Sequence, residues 1–155
     1  MMKLFQENVY TDVELADNNE IVALKLIAQT AADKLGVDEQ ELKSGLIVRE
    51  AMSTSAMGDI AMPHANASGI ENPTVLAFTF AEPIIWGEAP AHSVDTVIAL
   101  IMPRNEHQED YHDVLDSFAK HMTQPADVAA ITASKQDANG LVNIVNNWLP
   151  VTVFA

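Results

Sequence analysis

The chain has 155 residues, the size of one ordinary domain, and 48% of them are hydrophobic, enough for a substantial core. Its 22 carboxylates face eight Lys and Arg, a formal net charge of -14, which repels a phosphate backbone and argues against nucleic acid as a partner. With no cysteine, it has no disulfide, thiolate metal site or cysteine nucleophile of its own.

The opening residues, MMKLFQENVY, put acid and amide side chains where a secretory signal needs an apolar run. The longest apolar stretch, TVIALIMP, is far short of a bilayer span. A cytoplasmic chain with no direct membrane insertion is expected. No repeat, low-complexity tract or linker divides it, so residues 1–155 read as a single domain.

In chain order, DNNEIVALKLIAQTAADKLG predicts a helix capped by Asp17, with Glu20 three residues on. Ile21, Leu24, Ala28, Ala31 and Leu35 form its apolar stripe, and Gly36 stops it. DEQELKSGLIVRE predicts a second helix, capped by Asp38, with Leu42, Leu46 and Ile47 inward and Arg49 and Glu50 at its end. DIAMPH is too short for a helix and carries Pro63, so it reads as a brief strand ending at His64. TVLAFTF (Thr74 to Phe80) suits a strand. EPIIWGEAP reads as a loop with a short strand at Ile84 to Trp86. DTVIALIMP (Asp95 to Pro103) has the continuous apolar character of a strand buried on both faces.

Three helices follow. The first runs from Glu109 to Met122, with Val114, Leu115 and Phe118 inside. The second starts near Pro125 behind a Thr123 cap. The third runs from Lys135 to Leu149, capped by Ser134, with Leu141, Ile144, Val145 and Trp148 inward. Two helices, three or four strands and three helices are best buried as an α/β fold: a central mixed sheet with helices on both faces.

No HExxH, GxSxG, Walker or dinucleotide fingerprint is present. HQEDYH brings His107, Glu109, Asp110 and His112 together, but this reads as the acidic start of a helix, favoured by its dipole, rather than a metal site. His92, His107 and His121 read as solvent-facing or structural. His64 stands apart. Pro63 fixes its own φ and biases Met62 toward extended backbone, so the imidazole leaves in a defined direction. Ala65, Asn66, Ala67 and Ser68 add little bulk around it. A neutral imidazole has one lone-pair nitrogen, a nucleophile at neutral pH. On spacing alone, His64 is either a satisfied structural histidine or such a nucleophile.

From Arg49 to His64 the chain reads REAMSTSAMGDIAMPH. This resembles the motif of the fructose/mannitol-type enzyme IIA domains of the bacterial phosphoenolpyruvate-dependent sugar phosphotransferase system. The resemblance continues through NVYTDVELADNNEIVALKLIA, EPIIWGE, the strand ending in MP, LDSFAKHMTQPADVAAI and the last helix. It implies the fructose/mannitol enzyme IIA fold. It also implies a phosphocarrier without cofactor or metal, in which His64 accepts a phosphoryl group from the phosphocarrier protein HPr. His64 would pass the group to a cysteine on a separate enzyme IIB, which serves a membrane permease during sugar uptake.

Arg49 matches the motif's arginine, and a guanidinium fork suits a transferring phosphoryl group. Thr54 or Ser55 is a further donor in a loop one residue shorter than the usual pattern, with Met57 and Asp59 in place of glycines. Many relatives carry a second histidine at the start of the helix after the MP strand. Here that place falls on Tyr111, with His112 one residue later. A step of about 100° would turn His112 away and leave the Tyr111 hydroxyl to serve. A regulatory domain of the same fold, whose phosphorylation controls partner binding, is the alternative. A binding module without phosphoryl transfer is a second.

Overall fold

In the computed structural model, which describes residues 3–87, 91–104 and 108–150, a strand precedes the first helix. β1 (Val9–Val13) is made of β-forming Val, Tyr and Thr around one exposed Asp, too short a run to show a period. α1 (Glu20–Leu35) is capped by Asn19, whose side chain accepts from the Val22 N–H at 2.9 Å; the expected cap, Asp17, instead offers its carbonyl to the Asn19 N–H. Gly36 ends the helix in the left-handed region, as expected. Ala23, Leu24, Ile27, Ala28, Ala31 and Ala32 face inward, while Ile21 lies outside the stripe and is exposed. α2 (Glu39–Met52) begins at Asp38, whose carboxylate accepts from the Gln40 N–H.

The segment expected as one strand ending at His64 is two pieces. β2 (Ile60–Ala61) stops before Pro63, and β3 (His64–Ala67) starts at His64. Both run parallel to β5 (His92–Pro103) in one register, Ile60 opposite Thr96 and His64 opposite Leu100. They are one strand interrupted at Met62–Pro63, where proline has no N–H to give. β4 (Thr74–Trp86) joins the strand expected at Thr74 to Phe80 to the short one expected at Ile84 to Trp86, with its register against β5 shifted between Thr79 and Ile84. The sheet order is β1-β4-β5-β2, with β3 also on β5. β4 and β5 are antiparallel and the other pairs parallel, so the sheet is mixed.

α1 and α2 cover one face, over Leu76, Phe78, Val97, Ala99 and Ile101. On the other face α3 (Gln108–Met122), α4 (Pro125–Ala133) and α5 (Ala138–Trp148) cover Val75, Ala77, Ile98 and Leu100. β5 is buried from both sides, which is why its sequence does not alternate. Two more caps differ from expectation. Gln124 precedes α4 without a side-chain bond, and the Thr123 hydroxyl donates to the Lys120 carbonyl instead. Asp137, not Ser134, caps α5 through the Gly140 N–H at 3.1 Å, so the helix starts at Ala138 rather than Lys135. Lys135 instead pairs with Asp59, at 3.1 Å, and with Asp95, tying the α4–α5 turn to the start of β2 and to β5. Among the described residues no helix is long and apolar enough to cross a membrane.

Candidate functional site

β2 and β3 pair only with β5 among the described strands, so they form a sheet edge, and the site is built around that edge. Alternation along β3 sends Ala65 and Ala67 into the core under α1 and α2. His64 and Asn66 take the opposite face, toward α3. α2 packs closely on β3: a Cβ on Gly45 would lie 3.1 Å from the Ala65 Cβ. One turn further along α2, Arg49 reaches around the edge. One guanidinium nitrogen lies 3.0 Å from His64 Nε2, and the other donates to Asn66 Oδ1 at 2.7 Å. The Asn66 amide in turn donates to the Pro103 carbonyl at 3.0 Å. Arginine has donors only, so Nε2 is the acceptor in this contact and the ring proton belongs on Nδ1.

The interruption at Met62 faces away from β5, since the next carbonyl, that of Pro63, is the one that accepts from the Leu100 N–H. Two side chains close this gap. Ser55 Oγ accepts from the Met62 N–H at 2.9 Å, and the Tyr111 hydroxyl donates to the Met62 carbonyl at 2.8 Å. Ser55 is held by the buried Glu50 carboxylate, which accepts from the Ser55 hydroxyl, from the Ser55 N–H at 3.0 Å and from the Trp86 indole N–H at 3.0 Å. A buried carboxylate is tolerable because donors surround it.

The result is a cleft of about 240 Å³ whose walls include Arg49, Thr54, Ser55, His64, Tyr111 and His112. The expected residues are thus together, but Ser55 and Tyr111 are used differently. Ser55 is buried and spends its hydroxyl on Glu50. Thr54 is exposed, with Oγ1 accepting from the Ala56 N–H at 3.2 Å. The Tyr111 hydroxyl is committed to Met62, and its ring instead stacks on His64, centroids 3.5 Å apart. His112 is not turned away from the site; it lines the cleft as well. Burial lowers the His64 pKa from 6.5 to about 4, and the charges of Arg49 and His112 act in the same direction. Burial raises that of Tyr111, helped by the Glu50 charge and opposed by Arg49, so the phenol stays a donor.

Asn66 and the anchoring part of Glu50 are not evident from the motif, although Asn66 follows His64 at the spacing of two that puts strand residues on one face. Elsewhere, His121 stacks on Trp148 and contacts Asp127 at 2.9 Å, while His92 lies 3.4 Å from the Gly58 carbonyl. His107, from the HQEDYH run, lies outside the described residues. Among those described, no group of three or more His, Asp or Glu side chains is placed to hold a metal ion.

The profile of the family "Phosphoenolpyruvate-dependent sugar phosphotransferase system, EIIA 2" matches residues 2–148. The chain belongs to this family. Domains of the EIIA 2 family act in phosphoryl transfer. Among relatives, a nitrogen regulatory protein of Klebsiella oxytoca is 27% identical over 117 residues, 74% of this chain and 72% of that protein. The transcriptional regulator ManR of Bacillus subtilis is 29% identical over 111 residues, 70% of this chain but 16% of ManR. Among solved structures, the complex of enzyme IIAMTL and phosphorylated enzyme IIBMTL from Escherichia coli matches with a TM-score of 0.72 at 16% identity. That match covers 95% of this chain and 99% of the other. The EIIA 2 fold is therefore shared even where the sequences have diverged.

Proposed function

We propose that this EIIA 2 domain is a phosphocarrier that takes a phosphoryl group onto Nε2 of His64 from phosphorylated HPr and passes it to a cysteine of an enzyme IIB serving a sugar permease. The observation that carries this reading is the 3.0 Å contact of Arg49 with Nε2 inside an open cleft. In the first step the Nε2 lone pair forms the new P–N bond as the donor's P–N bond breaks, its electron pair returning to the donor imidazole. Nε2 carries no proton, so none has to leave before attack. The Arg49 nitrogen that rests on Nε2 swings to a phosphoryl oxygen as charge gathers there, while the other stays on Asn66. Positioning and charge stabilisation carry such a transfer. In the second step a thiolate forms the S–P bond and the P–N electron pair returns to His64.

Thr54 and His112, on the walls of the same cleft, are further donors for the phosphoryl oxygens. Val48 and Met52, exposed one turn apart on α2 beside the cleft, offer an apolar rim to a protein partner. The wider -14 surface favours partners that are basic.

A regulatory role is the second reading, because the two relatives are a nitrogen regulatory protein and a transcriptional regulator. It shares the chemistry at His64 and differs in the acceptor. Intact mass after incubation with phosphoenolpyruvate, enzyme I and HPr is the test. The expected result is a gain of one acid-labile phosphoryl group that His64→Ala abolishes. An unmodified wild type, with a known enzyme IIA labelled in the same mixture, would end both readings. Loss of the label on adding enzyme IIB separates the transport role from the regulatory one.

A further inference from the structure

One aromatic ring in the cleft has no part in the phosphoryl chemistry itself. Tyr111 lies in the first turn of α3, and its hydroxyl is bonded to the Met62 carbonyl. That carbonyl lies in the strand interruption two residues before His64. Tyr111 therefore grips the same stretch of backbone that presents the imidazole under its ring. The stack, with centroids 3.5 Å apart and planes 25° apart, cannot slide without breaking a buried hydrogen bond.

We infer that Tyr111 is a positioning residue for His64, its anchored ring covering one imidazole face so that the nucleophilic nitrogen stays dry, fixed and unprotonated. Among the described residues, the groups around His64 are Arg49 and Asn66 on the sheet-edge side and Tyr111 and His112 from α3. Of these, the Arg49 charge disfavours a proton on the ring and His112 acts in the same direction; among the described residues no carboxylate is hydrogen-bonded to or paired with His64. A face-on aromatic also attracts an imidazolium, which works in the opposite sense. Burial is the largest cause of the depressed His64 pKa of about 4, and the stacked Tyr111 ring supplies one side of that burial. The benefit to phosphoryl transfer rests on the phosphocarrier reading; the effect on the ring does not.

The test is an NMR pH titration of the His64 ring in protein labelled with 15N-histidine, as wild type, Tyr111→Phe and Tyr111→Met. Tyr111→Phe keeps the aromatic face but not its bond to Met62, and should titrate above wild type by less than Tyr111→Met does, still below the ordinary 6.5. Tyr111→Met fills the space without an aromatic face and should titrate about a unit or more higher. An unchanged or lower midpoint in Tyr111→Met overturns the inference. Should that variant not fold, Tyr111→Leu takes its place under the same criterion. The rate of phosphorylation by phosphorylated HPr should then be nearly flat from pH 8 to 5.5 in wild type. In Tyr111→Met it should fall through this range, by up to about tenfold at pH 5.5, in proportion to the neutral fraction. Wild type that accepts no phosphoryl group defeats the phosphocarrier reading while the titration still judges Tyr111. Phosphorylated wild type with coincident midpoints defeats only the inference.

Discussion

Arg49 divides its guanidinium between two acceptors, and that division sets what a substitution removes. The Asn66 branch aims the fork; the His64 branch is free to follow the phosphoryl group. Lysine keeps the charge but cannot span both acceptors in one plane. Arg49→Lys should therefore slow phosphorylation of His64 by about 100-fold, the usual scale for losing one placed donor. Asn66→Ala leaves the fork intact but unaimed and should cost less. Rapid-quench rates with phosphorylated HPr compare the two; equal rates for Arg49→Lys and wild type would remove Arg49 from the chemistry. Glu50 behaves differently because it is enclosed by donors. Glu50→Gln turns one acceptor oxygen into an NH₂ facing those donors, and should lower stability by about 1–3 kcal/mol. Urea unfolding followed by tryptophan fluorescence measures this, and a neutral result would mean that the carboxylate is dispensable.

The site depends on how closely α2 can lie on β3. Gly45 permits the approach and Arg49 inherits its position from it, one turn along. Gly45→Leu must push α2 off Ala65, where even a Cβ would sit at 3.1 Å. It should destabilise by about 1–3 kcal/mol and slow phosphorylation together, although Gly45 brings no side chain to the site. Thermal unfolding and labelling rate check the pair; unchanged labelling would show that Arg49 finds its place without the helix contact. This coupling was not legible in the sequence, because a helical glycine gives no sign of what it faces. Patterns that depend on one element alone were legible: the stripe of α1, the Asp38 cap, the apolar run within β5, and the Pro63–His64 pair. Features decided by neighbours were not. β1 is five residues made a strand by β4 beside it, and Asn19 displaces Asp17 as cap because only its side chain meets the Val22 N–H. The Tyr111 hydroxyl found its acceptor in a strand gap that no periodicity announces. The motif named His64, Arg49, Tyr111 and His112, but what each touches follows from three elements converging at one sheet edge.

At the scale of the molecule, charge and proton linkage make two predictions. A formal charge of -14 repels itself in the compact state, so raising salt from low to physiological strength should raise the melting temperature. A fall on adding salt would mean that attractive pairs such as Lys135 with Asp59 and Asp95 outweigh the repulsion. His64 adds a pH term. The unfolded chain protonates this ring below its ordinary 6.5, while the folded protein does so only near 4. Between these values the unfolded state binds more protons, so stability is lost as pH falls through that window. His64→Gln, which cannot titrate there, should lose less stability than wild type between pH 7 and 5; equal losses would show that the ring is not held neutral. The whole arrangement converges on one atom. NMR of the phosphorylated protein, labelled with 15N-histidine and read through the phosphorus–nitrogen coupling, identifies the nitrogen that carries the group. Phosphorus on Nε2 of His64 is the predicted result. Phosphorus on Nδ1, or on another histidine, would contradict the placement of Arg49, Asn66 and Tyr111 around the nucleophile.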